Sequence, residues 1–281
     1  MQKLSAKSVT DALEPKLRER IAQVKAKQGR VPKLAVIIVG EDPASVIYTT
    51  QKGKRATELG MEHVTHTLPV STAPREVKEL VQKLNEDATI DGILIQRPLP
   101  PSFREEDVLY WVSPDKDVDA FHPINTGRLS LGLPCFKPCT PLGIMRMLAH
   151  YGVDPSGKIA CVIGRSAIVG KPVAALLLQA NATVIQAHSK TPNLIELARQ
   201  ADILVVAAGR PRLIDERYFK AGAVVIDVGV HRNAQGQVVG DVAYDPGATL
   251  ASAISPVPGG VGPMTIAMLM ENTVWSAEQR G

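Results

Sequence analysis

The segment CVIGRSAIVGKP, residues 161–172, constrains the fold more than any other part of the chain. An apolar run, two glycines and a helix-prone stretch are typical of a buried strand that turns directly into a helix. Gly164 permits a tight turn, and Gly170 lets the helix lie close to its strand. Turns of this kind hold a dinucleotide pyrophosphate on N–H groups at the helix N-terminus. The spacing is GxxxxxG rather than GxGxxG, however, and similar turns occur in parallel-sheet proteins that bind no nucleotide.

The end of the next predicted strand indicates which dinucleotide fits. ATVIQA is followed by His188, Ser189 and Lys190, where an NAD site usually has an acid for the ribose hydroxyls. With Arg165 directly after the first glycine, this end of the site is neutral to positive and suits a 2′-phosphate, which favours NADP. The alternative is that Arg165 and Lys190 are ordinary solvated loop charges.

Composition narrows the class of protein. The chain has 281 residues, of which 45% are hydrophobic, and a net charge of +4, enough for two α/β domains. No basic run interleaved with aromatic residues indicates a nucleic-acid partner, and no apolar run approaches the roughly 18 residues of a membrane span. Three cysteines, Cys135, Cys139 and Cys161, suit neither a disulfide framework nor a four-ligand zinc site. We therefore expect a cytoplasmic protein without a metal that binds small anionic molecules.

Helices and apolar strands alternate along the chain, which predicts an α/β protein with mostly parallel sheets. Residues 113–141 show no periodic element, residues 228–242 have the turn composition of a hairpin, and residues 263–279 predict a last helix that returns to the first domain. We expect two domains. The N-terminal α/β catalytic domain comprises residues 1–139 and 264–281, and the Rossmann-like NADP-binding domain comprises residues 140–263.

Three polar side chains of the first domain are candidates for chemistry. Tyr48 and Lys52 are four residues apart on a predicted helix, so a ring and an amine project from one face. Burial can lower the pKa of such a lysine until it acts as a base. Gln96 ends a predicted buried strand, where ligands of open α/β sheets bind. The alternatives are an exposed helix face for Tyr48 and Lys52, and a simple strand cap for Gln96.

Two loops can contact a ligand. In KDVDAF, Asp117 or Asp119 can accept two hydrogen bonds from the N–H and NH₂ edge of a pterin-like ring, although loop acids are also common solvated turn formers. In PVPGGVGPMT, residues 256–265, prolines fix the loop and glycines let its backbone approach a ligand. We assign Pro258, Gly259 and Gly260 to substrate contact. The alternative, a plain helix entry at Pro263, is compatible with that assignment.

Taken together, these segments resemble the bifunctional methylenetetrahydrofolate dehydrogenase/cyclohydrolase family (FolD type) over nearly the whole chain. The agreement of so many segments in one order is specific, whereas any one of them alone is not. The segments are VGEDPASVIYTTQKGK, DGILIQRPLP, PDKDVDAFHPINTGRL, PCTP, IGRSAIVGKP, AHSKT, GDV and PVPGGVGPMT.

The resemblance implies an activity and a set of roles. The family oxidises 5,10-methylenetetrahydrofolate with NADP to the methenyl cation and hydrolyses that to 10-formyltetrahydrofolate, typically as a homodimer with a cleft between two domains. It implies that Tyr48 lies along the folate ring, Lys52 is catalytic, Gln96 tunes Lys52, and Asp119 holds the pterin. We assign cofactor contacts to a second set of residues: Gly164, Arg165, Ser166, Gly170, Ser189 and Val230.

Two departures from the family pattern leave alternatives open. Arg97 replaces the usual leucine, and a guanidinium in the cleft would lower the pKa of Lys52 or contact an anionic part of the ligand, whereas one that points to solvent would change nothing. Ala120 replaces the usual glycine, which matters if that position needs a positive φ. The alternatives are a dehydrogenase with weakened or absent cyclohydrolase activity, another NADP-dependent dehydrogenase of the shikimate or hydroxyacid kind, and a non-catalytic NADP-binding regulatory protein.

Overall fold

The computed structural model describes residues 1–243 and 250–280; residues 244–249 and 281, which fall inside the predicted domain ranges, lie outside the described residues. The described strands are β1 (Gln2–Lys3), β2 (Lys33–Val39), β3 (Glu62–Leu68), β4 (Gly92–Ile95), β5 (Ile159–Ile163), β6 (Thr183–Ala187), β7 (Ile203–Val206), β8 (Val224–Asp227), β9 (His231–Arg232), β10 (Val238–Val239) and β11 (Ala253–Ile254). The described helices are α1 (Ala6–Gln28), α2 (Pro43–Leu59), α3 (Pro74–Glu86), α4 (Glu105–Val108), α5 (Pro123–Ser130), α6 (Cys139–His150), α7 (Gly170–Gln179), α8 (Leu194–Ala198) and α9 (Val261–Glu278).

The chain divides into two compact units. The three-stranded unit comprises Ala12–Cys139 and Ile266–Gly281, and the six-stranded unit comprises Met1–Asp11 and Thr140–Thr265. This is the two-domain α/β architecture that the sequence predicts.

In the three-stranded unit, β2 lies between β3 and β4, and both pairings are parallel. The side chains of β2 and β4 are nearly all buried, because helices cover a parallel sheet. One of these helices is α3, which buries Val77, Val81 and Leu84 at helical spacing against that sheet. The predicted run of apolar strand residues therefore forms the core of this unit.

In the six-stranded unit, the strand order is β1-β11-β8-β7-β5-β6 and all pairings are parallel. Taken from β5 onward, the chain order of the strands is 2-1-3-4-5, a doubly wound order whose ligands bind at the switch point between the first and third strands. Here that point lies at the carboxyl ends of β5 and β7. The predicted hairpin is present as the antiparallel pair β9 and β10.

The structure differs from the sequence predictions at two elements. Residues 1–11, which the prediction grouped with the catalytic domain, belong to the six-stranded unit because β1 pairs with Ala253 and Ile254. A strand of two polar residues carries no periodic pattern. The predicted loop 113–141 contains α5, which is short and mixes polar and small residues, so its hydrophobic periodicity is weak.

Candidate active site

The predicted lysine and glutamine are in direct contact in the three-stranded unit. Lys52 on α2 is 9% exposed, and its Nζ donates to Gln96 Oε1 at 2.8 Å. Gln96 directly follows β4, and its backbone N–H donates to the Ile37 carbonyl at 2.8 Å, which extends the ladder with β2. Its Nε2 donates to the Arg97 carbonyl at 2.6 Å. Because both ends of the amide are bonded, Oε1 is held toward the amine.

Asp119 is brought to the same end of the sheet by an extra strand-like contact. Asp117 forms a parallel bridge with Ile93 of β4, and the Ile93 N–H donates to the Lys116 carbonyl at 2.8 Å. Asp119, two residues further along, therefore lies level with the end of β4. Asp117, Asp119 and Arg97 line a common crevice.

Charge and burial act on the lysine and the aspartate in opposite senses. Burial lowers the pKa of Lys52, and the nearby carboxylate of Asp119 and the thiol of Cys139 oppose that change. Burial raises the pKa of Asp119, while Lys52, Cys139 and Arg97 oppose the rise. The site therefore favours a lysine that gives up its proton more easily than a solvated one.

The buried carboxylate of Asp117 accepts hydrogen bonds from its own loop, between β4 and α5. It is 5% exposed, and its Oδ2 accepts from the His122 backbone N–H at 2.7 Å and from Asn125 Nδ2 at 3.1 Å. Burial raises the pKa of Asp117 to about 6. The His122 ring caps α5, since its Nδ1 accepts from the Ile124 N–H at 3.1 Å. Of the two loop acids, Asp117 is structural and Asp119 stays the ligand candidate.

The guanidinium of Arg97 is engaged by its neighbours. Its Nη1 lies 2.6 Å from Glu105 Oε2, and its Cζ lies 5.5 Å from the centre of the Phe121 ring. The charge of Arg97 opposes the rise in the pKa of Asp119. It is not among the groups that shift the pKa of Lys52. The departure from the family pattern thus places a paired cation on the crevice wall.

Ala120 occupies the backbone position that the sequence analysis questioned. Its φ is +62° and its side chain is 1% exposed. This left-handed conformation favours glycine, so alanine is strained here by about 1 kcal/mol. Tyr48, one turn before Lys52, is partly exposed on the same face of α2.

The six-stranded unit contains the predicted strand–turn–helix at its switch point. Gly164 follows β5 with φ +143°, and a Cβ there would lie 2.3 Å from the Ala207 carbonyl oxygen after β7. A Cβ on Gly170 would lie 2.4 Å from the Gly164 oxygen. Both glycines are required for close backbone approach between β5, β7 and the start of α7.

Ser166 bonds the start of α7. Its Oγ accepts from the N–H groups of Val169 at 3.2 Å and Gly170 at 3.3 Å. Two N–H groups that the sequence analysis directed at a phosphate therefore donate to a side chain of the turn. Arg165 and Ser189 are both exposed at the carboxyl ends of β5 and β6. No acidic residue occurs in the turn after β6, residues 188–191, so this edge fits a 2′-phosphate.

Val230 precedes β9 in a loop that two buried aspartates fix. Asp227 accepts from the backbone N–H groups of Gly229, Asp241 and Val242 at 2.9 to 3.0 Å, and burial raises its pKa to about 6. Asp241 in turn accepts from the Gly209 N–H after β7 at 2.9 Å. Val230, 49% exposed, is therefore an apolar side chain on a rigid loop beside β7 and β8.

The segment Pro258 to Gly260 forms a tight loop before α9. Pro258 is exposed, Gly259 has φ +99°, and its carbonyl accepts from the Ala6 N–H at 2.9 Å. A Cβ on Gly260 would lie 2.5 Å from the Pro256 oxygen. These contacts all lie within the six-stranded unit.

Sequence reasoning missed two neighbours of Asp119. The sequence gives Cys139 no role beside Asp119, yet its buried thiol donates to the Val118 carbonyl at 3.3 Å. Asn272 on α9 donates to the same carbonyl at 2.8 Å. The sequence signal that could have indicated Asn272 is its polar amide within the largely apolar helix α9.

The described residues contain no cluster of three or more His, Cys, Asp or Glu side chains suited to a metal ion. Within residues 1–243 and 250–280, every helix is too short or too polar to traverse a bilayer.

The fold and the two sites define a class: a two-domain α/β enzyme with a dinucleotide-binding domain of doubly wound order and a second domain carrying a buried lysine. Comparison with known families identifies which one. Residues 4–119 match the family described as tetrahydrofolate dehydrogenase/cyclohydrolase, catalytic domain, and residues 138–281 match its NAD(P)-binding domain. The chain belongs to the tetrahydrofolate dehydrogenase/cyclohydrolase family, which confirms the resemblance noted in the sequence.

Relatives match along nearly their whole length. The bifunctional protein FolD of Acetivibrio thermocellus is 50% identical, covering 98% of this chain and 96% of that protein. The crystal structure of the FolD enzyme of Campylobacter jejuni has a TM-score of 0.97 and 45% identity, covering 100% of both chains. The Trypanosoma brucei enzyme, solved with NADP and an inhibitor, has a TM-score of 0.92 and 36% identity over 98% of this chain and 96% of that one.

Proposed function

We propose that this chain oxidises 5,10-methylenetetrahydrofolate with NADP to 5,10-methenyltetrahydrofolate and hydrolyses that product to 10-formyltetrahydrofolate, in one-carbon metabolism. The observation that carries the proposal is the 2.8 Å hydrogen bond between buried Lys52 and Gln96, beside Asp119, in a chain of this family. Family membership disfavours the alternative of a shikimate- or hydroxyacid-type dehydrogenase.

The six-stranded unit suits the cofactor. Gly164 and Gly170 leave room where a Cβ would clash with backbone, and Arg165 and Ser189 offer a cation and a hydroxyl without a competing acid. These four residues, with Ser166 and Val230, are proposed to hold NADP, which accepts a hydride from the methylene carbon when bound. The chain's own task in this step is to position that carbon, since hydride transfer needs no protein acid or base.

Hydrolysis needs a base, and Lys52 is placed to serve. A neutral amine has two N–H groups and one lone pair, and one N–H is directed to Gln96 Oε1. The lone pair then takes a proton from water as its oxygen bonds to the methenyl carbon. The hydroxyl left on that carbon then releases its proton to solvent as the bond from the carbon to N5 breaks, which yields the formyl group on N10, and N5 receives the proton that Lys52 holds. The lowered pKa of Lys52 supports this role.

Asp119 and Tyr48 are proposed to hold the folate. A carboxylate accepts two hydrogen bonds from the N–H and NH₂ edge of a pterin, and an aromatic ring stacks on its plane. Asp119 lines a crevice, and Tyr48 shares a helix face with Lys52. The loop of Pro258, Gly259 and Gly260 is proposed to contact the substrate through its backbone.

The three-stranded unit is proposed to be the catalytic domain and the six-stranded unit the NADP-binding domain, with residues 1–11 in the latter. A homodimer in the cytoplasm, with no nucleic-acid or membrane partner, is also proposed. Free Cys135, Cys139 and Cys161 fit a reducing compartment, and analytical ultracentrifugation tests the dimer.

An absorbance assay with methylenetetrahydrofolate and either NADP or NAD tests the function. We expect folate-dependent formation of NADPH, faster than that of NADH, and decay of the methenyl intermediate faster than in buffer. Methenyl that accumulates and decays only at the buffer rate would instead identify a dehydrogenase that lacks the cyclohydrolase. Absence of any folate-dependent reduction would favour the regulatory alternative.

A further inference from the structure

One buried amide on the last helix, α9, contacts two separate segments near Asp119. Asn272 is 5% exposed, and its Nδ2 donates to the Val118 carbonyl at 2.8 Å and to the Lys137 carbonyl at 3.0 Å. Both hydrogens of the amide are therefore used. A group this buried would not satisfy two main-chain carbonyls by chance, because each bond requires its own geometry.

The two carbonyls belong to residues next to the ligand candidates. Val118 immediately precedes Asp119, and Lys137 lies two residues before Cys139. The Cys139 thiol donates to the Val118 carbonyl at 3.3 Å, and Asn272 Nδ2 lies 3.7 Å from the same sulfur. The Val118 peptide thus has two buried donors, and its plane sets where the Asp119 side chain leaves the backbone.

We propose that Asn272 is a positioning residue for folate binding, which fixes the Val118 peptide and thereby directs the Asp119 carboxylate at the pterin. The inference rests on the role of Asp119 in the proposed function. Without the amide, the buried Val118 carbonyl and the Lys137 carbonyl each lose a partner, and the Val118 peptide is free to rotate toward another donor. Asp119 is then misdirected, while the Lys52–Gln96 pair, held by β4 and α2, keeps its geometry.

Ser276 provides a matched control one turn further along α9. It is 1% exposed, and its Oγ lies 2.6 Å from the Asp91 carbonyl oxygen and 3.0 Å from the Asp115 carbonyl oxygen, to one of which its single hydrogen donates at a time. Its removal therefore also takes a buried hydrogen bond from the same helix. Asp115 is four residues from Asp119, and the bridge of Asp117 to Ile93 lies between them.

The experiment measures KM for methylenetetrahydrofolate, KM for NADP, kcat and thermal stability in four proteins: wild type, Asn272→Leu, Ser276→Ala and Asp119→Asn. We expect Asn272→Leu to raise the folate KM about tenfold with NADP KM unchanged. Ser276→Ala should also lower the melting temperature, because it too loses a buried hydrogen bond of α9, and should leave the folate KM within about twofold. Asn272→Ser, whose single hydroxyl can bond only one of the two carbonyls, should raise the folate KM about threefold and replaces Asn272→Leu should that variant not fold.

The outcomes separate the inference from the proposed function. A raised folate KM in Asp119→Asn together with an unchanged value in Asn272→Leu overturns the role of Asn272 alone. An equal rise of the folate KM in Asn272→Leu and Ser276→Ala also overturns it, because the loss of helix stability then explains both. An unchanged folate KM in Asp119→Asn overturns the assignment of Asp119, and the inference with it.

Discussion

The two units of the chain build their sites from different materials. In the three-stranded unit the candidate chemistry lies in side chains, with Lys52, Gln96 and Asp119 brought together at the end of β4. In the six-stranded unit it lies in the backbone, where Gly164 and Gly170 matter because they lack a Cβ. The site of the three-stranded unit is therefore impaired by substitutions that remove a functional group. The site of the six-stranded unit is impaired by substitutions that add volume.

The two units nevertheless share one structural feature, a buried aspartate that supports a loop. Each contains a buried aspartate, Asp117 or Asp227, that accepts backbone N–H groups of a loop and has a pKa raised to about 6 by burial. Both loops carry candidate contacts to a ligand. Rigid loops supported by a buried carboxylate thus serve side-chain and backbone sites alike.

Lys52→Met tests the side-chain site and carries the largest expected effect. Loss of a general base lowers cyclohydrolase activity by about 10² to 10⁴-fold, whereas hydride transfer stays measurable because it needs no such base. The absorbance assay reports both. Lys54→Met is the control, since Lys54 lies on the same helix with its side chain 76% exposed. Undiminished methenyl hydrolysis in Lys52→Met would contradict the proposed role.

Gly170→Ala tests the backbone site. The added Cβ meets the Gly164 oxygen at 2.4 Å, so the turn must shift, which destabilises the fold by about 1–3 kcal/mol. We expect KM for NADP to rise at least about tenfold. Gly127→Ala is the control: no atom lies within 4 Å of its added Cβ, and it sits in α5. That variant should be stabilised by about 0.5–1 kcal/mol. If the KM for NADP is unchanged in Gly170→Ala, close backbone approach at Gly170 is not needed for the cofactor, and the contrast between the two units fails.

The shared aspartates predict a common pH dependence. A folded pKa of about 6 exceeds the unfolded value of 3.8, so the folded state binds the proton more tightly. The resulting stabilisation is fully present below pH 3.8 and is lost as the pH rises through 6. From pH 4 to 7, the free energy of unfolding of wild type relative to Asp227→Asn should therefore fall by about 2 kcal/mol. Asp117→Asn should give the same slope, measured by denaturant titration; a slope of opposite sign in either variant refutes this account.

Asp119→Asn changes the titration of Lys52. The Asp119 carboxylate raises the pKa of the lysine, so its removal lowers that pKa further. We expect the rising limb of cyclohydrolase kcat against pH to move to lower pH, measured at saturating substrate. Movement to higher pH would show that Asp119 does not act on Lys52 through its charge. Asp107→Asn, exposed on α4, should leave the limb in place.

Ala120→Gly carries the smallest expected effect. Relief of the left-handed strain at φ +62° should raise the free energy of unfolding by about 1 kcal/mol. The melting temperature of the variant checks this, with Ala149→Gly inside α6, expected to lower it, as the opposite control. A lower melting temperature for Ala120→Gly would mean that contacts of the buried methyl outweigh the strain.

Much of the fold follows from local pattern. The apolar runs of β2, β4 and β5 and the spacing of Val77 and Val81 in α3 are visible in the sequence, because burial in a parallel sheet dictates them. The helix α5 and the strand β1 were missed, since one depends on the His122 cap and the other on pairing with β11. The paired state of Arg97 was equally invisible, because Glu105 and Phe121 approach it only in the folded chain.

The sequence by itself determined the two-domain α/β class, the family, and the residue types able to bind NADP and folate, since these depend on local spacing and on the chemistry of each side chain. Only the tertiary structure decided that Lys52 is buried against Gln96, that Asp117 accepts hydrogen bonds from its own loop, and that Asn272 reaches Val118. The physical reason is that pKa values and hydrogen-bond partners depend on distances between residues far apart in the chain. Those distances are fixed by sheet register and helix packing.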